Sequence, residues 1–392
     1  MKPTVTIMTS EESFLNNYGA VLQGYALYSV LQDNNFDPQI VRYSGGQFQD
    51  TALRYYLVRA KKRAGKLYHR LFPNETDREK MKLKRKNKRK EDARTCIFKS
   101  FQDDTMKFYN ARRETWQQLK RHYPKTDFYI CGSDQIWNPY FKGGRNDPGY
   151  FLAFAPEGAT KIAYAPSFGC EDLPDQAKAS LGELLKDFRA ISVREKSGVE
   201  IVKKYAGRDA QWVLDPTLLR TPEQWKEISR IPEGLPDKYI LIYRFADSGH
   251  TKSVIDRISE ELSIPVVSLP LSTVAMKDDY QAFYDAGPRE FIGLIEHAYL
   301  VCTDSFHATV FSILMSTPVC VFLRENFQGG DSMNTRVISL LEMLELKDCI
   351  ISEQDSLQKA LQCLHVDYTR AHEILADRRK ASLDFLKHAL EE

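Results

Sequence analysis

His307 lies in the segment VCTDSFHATVFSILMSTPVCVF (301–322), where an apolar run breaks into Thr303-Asp304-Ser305-Phe306-His307 before a helix-like stretch. A histidine at a strand end beside a helix N-terminus can serve as acid, base or phosphate ligand. The same residues also suit a structural role, with Asp304 or Ser305 capping the helix and His307 packing in its first turn. DFYICGSDQIWN repeats the pattern: an apolar run stops at Gly132-Ser133-Asp134-Gln135. Gly132 lets the backbone turn close to a ligand. Asp134 can accept a proton from a hydroxyl or bond the amides of a turn. Trp137 and Asn138 suit a sugar, one offering a ring face and the other an amide for hydroxyls. Arg194, in ISVRE, presents a planar fork for carboxylate or phosphate, or else pairs with Glu195 on the surface. Asp215, in LDPT, reads more readily as a turn and helix start. Asn16-Asn17-Tyr18-Gly19 precedes the first helix and offers free amides to an anion or hydroxyl. Arg244 and Arg324 close two later strands, and Asn334 and Arg336 open a helix after a glycine-rich loop.

These polar residues share a position, the C-terminal end of an apolar run, where open α/β sheets hold ligands. The runs predict strands at 3–10, 38–44, 127–131, 161–167, 190–195 and 211–217, with helical spacing between them. A second alternating series predicts strands at 239–245, 264–270, 298–304 and 317–323, and helices near 251–263, 289–297 and 307–315. RIPEGLPDK (230–238) is a Pro- and Gly-rich boundary. The expected fold is therefore α/β, with two Rossmann-like domains facing a cleft. Residues 1–229 form the N-terminal, acceptor-side domain, interrupted by a basic helical insertion at 52–122. Residues 230–366 form the donor-side domain, and 367–392 an amphipathic helix able to pack back on the first domain. Spaced glycines of the GxGxxG type and the GK[ST] of a P-loop are absent, so no nucleotide fingerprint is present.

A chain of 392 residues with 43% hydrophobic and 28% charged residues is long enough for two ordinary globular cores. The seven cysteines form no CxxC or Cys/His spacing, which points to reduced thiols in a cytoplasmic setting and to no structural zinc. No signal peptide or spanning segment is expected. The net charge of +2 conceals a segregation: residues 54–99 hold 18 Lys/Arg against 5 Asp/Glu, a local +13 that leaves about −11 elsewhere. Such a block can be a solvated helix without a partner, or can meet an anionic membrane surface or a polyanionic substrate. Nucleic acid is the weaker reading, because no other segment resembles a nucleic-acid module.

With its segments assembled, the chain resembles the polysaccharide pyruvyl transferase family. The resemblance rests on NNYGAVLQGYAL, DFYICGSDQIWN, ISVRE, WVLDPTLL and CTDSFHATVFSILMSTPVCVF followed by MNTRVISLLEML, in family order across roughly residues 4–347. It implies an architecture similar to GT-B glycosyltransferases. It also implies transfer of the enolpyruvyl group of phosphoenolpyruvate to two hydroxyls of one sugar, giving a cyclic pyruvate ketal and phosphate. The implied acceptor is a sugar of a cell-surface polysaccharide or its lipid-linked precursor, handled in the cytoplasm or at the inner face of its membrane. In the family, residues at the Arg194 and His307 positions lie at the phosphoenolpyruvate site, and many members carry an arginine where this chain has Ser305. Arg244, Arg324 or Arg336 would then supply the missing charge. At that site His307 suits a proton donor or phosphate partner and Arg194, with a second arginine, an anion clamp; Asp134 is the candidate to accept a hydroxyl proton, and with no metal-ligand cluster in the sequence neither cofactor nor metal is expected. A GT-B glycosyltransferase using a nucleotide sugar, sialyltransferase-like, and a non-catalytic relative are the competing readings.

Overall fold

A computed structural model describes residues 1–10, 16–45, 75–246, 249–270, 278–324, 332–352, 355 and 357–391. The strands are β1 (Thr4–Met8), β2 (Asp37–Ile40), β3 (Phe128–Cys131), β4 (Thr160–Ala163), β5 (Phe188–Val193), β6 (Gln211–Trp212), β7 (Ile240–Tyr243), β8 (Val266–Ser268), β9 (Gln281–Ala282), β10 (Leu300–Thr303), β11 (Val319–Phe322) and β12 (Ile350–Ile351). The helices are α1 (Tyr18–Asp33), α2 (Glu75–Thr105), α3 (Trp116–Arg121), α4 (Asp175–Leu185), α5 (Lys196–Ala206), α6 (Pro222–Lys226), α7 (Gly249–Leu262), α8 (Pro288–Glu296), α9 (Phe306–Leu314), α10 (Ser332–Met343), α11 (Leu357–Gln362) and α12 (Thr369–Glu391).

The strands form two six-stranded sheets, in the orders β2-β1-β3-β4-β5-β6 and β12-β11-β10-β7-β8-β9. Every pairing is parallel. Strands such as β7, β10 and β11 are buried along their whole length, as strands covered by helices on both faces must be, and their sequences are apolar without alternation. Each sheet reverses its winding once, between β1 and β3 in the first and between β7 and β10 in the second. A crevice opens beyond the strand ends at such a reversal. Ser10 and Asp134 follow one pair of strands, and Phe245 and His307 follow the other.

The expected strands are present, most of them shorter and β5 shifted by two residues, and the larger differences have local causes. The apolar reading of 211–217 shrinks to Gln211–Trp212 because Asp215 turns the chain into a 3₁₀ segment, Pro216–Leu218. The two-residue strands β9 and β12 have too little apolar sequence to stand out from their loops. Within the expected insertion, 52–74 lie outside the described residues. Beyond α2 the chain bridges to the edge of the first sheet at Ile40–Phe108 and Tyr43–Glu114. Nor is α2 a free appendage: Arg94, Phe98 and Phe101 are buried, with Phe98 4.9 Å from Tyr18 and Phe101 5.5 Å from Tyr25.

One apolar cluster joins the sheets, holding Val5 and Ile7 of the first together with Leu241 and Val301 of the second. At its centre Tyr18, at the start of α1, stacks on Phe291 of α8 with centroids 4.6 Å apart. Its hydroxyl donates to the Ala286 carbonyl at 2.8 Å. α12 spans both halves: His372 Nε2 lies 2.8 Å from the Ile313 carbonyl, Arg379 Nε donates to Leu218 O at 2.8 Å, and Ser382 Oγ accepts from the Leu214 amide at 3.0 Å. Among the described residues no helix is long and apolar enough to cross a membrane. Because the Tyr18 hydroxyl pairs with a buried carbonyl, Tyr18→Phe is expected to cost about 1–2 kcal/mol in urea unfolding while leaving ligand binding unchanged.

Candidate active site

Two loops at the end of the first sheet carry the charged centre. After β3 the chain turns at Gly132, whose φ is 136° and where a Cβ would lie 1.8 Å from the Tyr164 carbonyl, so only glycine fits. Ser133 then faces inward: its amide donates to Gln23 Oε1 at 3.0 Å, and its hydroxyl to Ala165 O at 2.8 Å and Asp215 Oδ2 at 3.1 Å. Gln23, in the middle of α1, thus fixes the turn that aims Asp134. Asp215 accepts from the amide and hydroxyl of Thr217 on Oδ1, at 3.0 and 2.7 Å.

Arg194, at the end of β5, links the two acids. Its Nη1 donates to Asp215 Oδ2 at 2.5 Å and its Nη2 to Asp134 Oδ1 at 3.0 Å. Its guanidinium lies 4.7 Å from the centroid of the Phe306 ring. Nε2 of His307, brought in by α9 of the other half, stands 3.7 Å from Asp215 Oδ2, an ion-pair distance too long for a hydrogen bond. Burial alone would raise the Asp134 pKa, but Arg194, then His307 and Arg336, outweigh it and hold the carboxyl below its usual range. Asp215 is likewise held far below by His307, Arg194 and Thr217 against its burial. For Arg194 the penalty of burial is overcome by Asp215 and Asp134, so its pKa is raised. The trio is charged throughout the neutral range.

A cavity of about 440 Å³ opens beside this trio. Its lining includes Asn17, Asp134, Gln135, Ser305, Phe306 and His307, together with Phe141, Lys142, Tyr150, Phe245, Arg324 and Arg336. Gly19 is what lets α1 approach His307: a Cβ there would lie 2.0 Å from the imidazole Nδ1. Arg324 pairs with Asp304 at 3.3 Å. Arg336 is 7% exposed, its Nε has no partner, and among the described residues it makes no hydrogen bond or ion pair. Burial, with repulsion from Arg194 and Arg324 only partly relieved by Asp134, pushes it down to about 9. It is a buried cation short of a counter-ion, opening into the cavity. Among the described residues no three His, Cys, Asp or Glu side chains converge to hold a metal ion.

The structure brings His307, Asp134, Asn17, Gln135, Ser305, Arg324 and Arg336 to the cavity and sends other candidates elsewhere. Trp137 is 1% exposed and stacks on Phe151 at 4.7 Å, so it cannot offer a ring face to a sugar. Asn138, equally buried, donates to Gln135 Oε1 and caps the 3₁₀ segment Pro139–Lys142. Tyr18 belongs to the core between the sheets, where burial pushes its hydroxyl up to about 12 against the charge of Arg94. Ser133 is enclosed by Gln23, Ala165 and Asp215. Arg244 is held by both oxygens of Asp278 at 2.9 Å. Asp304 accepts from the amides of Phe245 and Ala246, and Asn334 exchanges two hydrogen bonds with the backbone of Arg324. Arg194 faces Asp134 and Asp215 instead of the cavity, its side chain 1% exposed. Glu195 pairs with the amides of Phe168 and Gly169 and makes no surface ion pair with Arg194. Sequence reasoning missed the central part of Asp215, whose only signal was its place at a strand end, and missed Phe141, Lys142 and Tyr150, which sit in 3₁₀ segments too short to show a periodicity.

Two doubly wound parallel sheets with one cavity across their strand ends define a GT-B-like protein. The family model for polysaccharide pyruvyl transferase matches residues 17–326, and the chain belongs to that family. Among solved structures it is similar in fold to a putative UDP-N-acetylglucosamine 2-epimerase from Listeria monocytogenes (10% identity, TM-score 0.52, covering 96% of this chain and 91% of that one). It is similar also to MnaA of S. aureus, solved with UDP (11% identity, TM-score 0.50, covering 95% and 91%). No curated protein sequence matches the chain.

Two outcomes are expected from this geometry. A helix normally gains up to about 1 kcal/mol when glycine becomes alanine; at Gly19 the clash with His307 reverses the sign, so Gly19→Ala lowers the melting temperature. Asp215→Asn leaves Arg194 with one carboxylate and is expected to cost about 3–5 kcal/mol in urea unfolding. Because both acids have depressed native pKa values, their stabilisation is complete above the ordinary aspartate range and is lost as pH falls through the native values. The acid limb of stability against pH should therefore flatten in Asp215→Asn.

Proposed function

We propose that this transferase moves pyruvate as a ketal from phosphoenolpyruvate to a sugar of a polysaccharide or of its lipid-linked precursor. The observation that carries the reading is Arg336: a buried guanidinium with no hydrogen-bonded or ion-paired acid among the described residues opens into the same cavity as His307 and Asp134, in a chain of the pyruvyl transferase family. A donor with a carboxylate and a phosphate supplies the missing counter-charge. Arg324 and Lys142 lie at the same cavity and can share it. Ser305 caps α9 by accepting from the Ala308 amide at 3.4 Å, so the arginine that many relatives carry there is replaced by charge from α10.

The chemistry follows from these placements. A proton delivered to the methylene carbon of the donor makes a methyl group and leaves an oxocarbenium-like centre. One sugar hydroxyl adds to that centre; the carbon–oxygen bond to phosphate then breaks, and a second hydroxyl closes the ring. One hydroxyl proton replaces the proton spent on the methyl group and the other leaves with phosphate. His307 is the proton donor, with Asp215 behind its Nε2 to stabilise the imidazolium. Asp134 orients the incoming hydroxyl. In the free protein three cations make it a weak base; an anionic donor on Arg336 offsets one of them and raises its capacity to accept the proton. Phe141, 47% exposed at the cavity, offers the stacking face that Trp137 does not.

Phosphoenolpyruvate is expected to raise the melting temperature, whereas a panel of UDP- and CMP-sugars leaves it unchanged; the opposite pattern favours the glycosyltransferase reading. Arg336→Met should abolish the phosphoenolpyruvate shift. Phe141→Ala should keep that shift and raise the acceptor KM in a phosphate-release assay by roughly tenfold, the loss of about 1.4 kcal/mol of ring contact.

A further inference from the structure

The proposed chemistry leaves the basic segment unused. Residues 77–90, DREKMKLKRKNKRK, hold nine Lys/Arg in the N-terminal half of α2. At 1.5 Å per residue this 31-residue helix is a rod about 46 Å long. Arg78, Lys82, Arg85 and Arg89 fall at successive spacings of four, three and four, so they form one row along it, and Lys88 lies beside them. All five are exposed, and among the described residues none has an ion-pair partner.

The other end of the rod is fixed. Arg94 donates to the Pro270 carbonyl at 2.7 Å, Phe98 and Phe101 are buried, and Thr95 Oγ1 accepts from Asn16 Nδ2 at 3.2 Å. Asn16 adjoins Asn17, which lines the cavity. The unpaired cations therefore extend from an element seated at the rim of the active site, while residues outside 54–99 carry about −11.

We propose that this row docks the enzyme on an anionic lipid surface. A straight row of cations on a rod lies tangent to a plane, and the acidic remainder of the chain is repelled from that plane, which leaves one orientation of approach. A polyanion that wrapped the protein would meet the acidic surface as well. The helix has few apolar residues in this half, Met81 and Leu83, so the contact is electrostatic and does not insert. Each cation near such a surface strengthens partition roughly fivefold, about 1 kcal/mol.

The test uses the full chain and vesicles without substrate, so its outcome is independent of the donor assignment. Co-sedimentation is expected with equimolar phosphatidylcholine and phosphatidylglycerol, not with phosphatidylcholine alone, and is expected to weaken as salt rises. A variant carrying Lys82→Gln, Arg85→Gln, Lys88→Gln and Arg89→Gln should lose roughly 10²–10³ in partition while keeping its melting temperature. The charge-conserving pair Lys82→Arg and Lys88→Arg should bind as the parent does. Equal binding to neutral vesicles, undiminished binding by the glutamine variant, or displacement of the protein from anionic vesicles by duplex DNA at the same salt would overturn the proposal.

Discussion

The ion triplet Asp134–Arg194–Asp215 is the constraint on which the rest of the site depends. A guanidinium with 1% of its side chain exposed survives only with its charge matched, and here two carboxylates from different loops match it. In satisfying Arg194 the protein fixes the end of β5, the turn after β3 and the 3₁₀ segment after β6 relative to one another. Asp215 Oδ2, the oxygen that takes Arg194, also stands 3.7 Å from Nε2 of His307, which arrives on α9 from the second sheet. The triplet therefore registers the two halves of the molecule as well as the first sheet's loops.

The cations divide into two kinds. Arg194, Arg244 and Arg324 are all balanced by aspartates, and their work is to hold backbone and acids in place. Among the described residues Arg336 has no such paired aspartate, although it is as deeply buried. That asymmetry separates scaffold from ligand-facing charge more clearly than residue type or position at a strand end does. It also accounts for Ser305: a further arginine at the start of α9 would crowd a cavity that already contains Arg324 and Arg336.

Much of the fold is legible in the sequence because buried parallel strands must be apolar on both faces, and runs such as LVCT and VCVF have no other reading. Their polar ends, including those at Asp134 and His307, are legible for the same reason. What escapes is direction. Trp137, Asn138 and Tyr18 lie within a residue or two of cavity-lining neighbours, yet turn into the core, because a 3₁₀ segment and a helix start each rotate successive side chains by about a third of a circle or nearly so. Asp215 escapes for the opposite reason: it performs the turn-capping expected of an Asp-Pro-Thr sequence on one oxygen and holds Arg194 with the other. Sequence shows the first role and hides the second.

The shared apolar cluster between the sheets has an evolutionary consequence. α1, α8 and α9 bury their aromatic residues against one another, with Tyr18 on Phe291 and Phe291 5.7 Å from Phe311. One face of each sheet therefore packs in this shared core, while the opposite face keeps an apolar cluster of its own. A gene fusion that exchanged one half for that of a distant relative would break matched surfaces in both, so new acceptor preferences in such a protein must arise by substitution in its loops and not by recombination of modules.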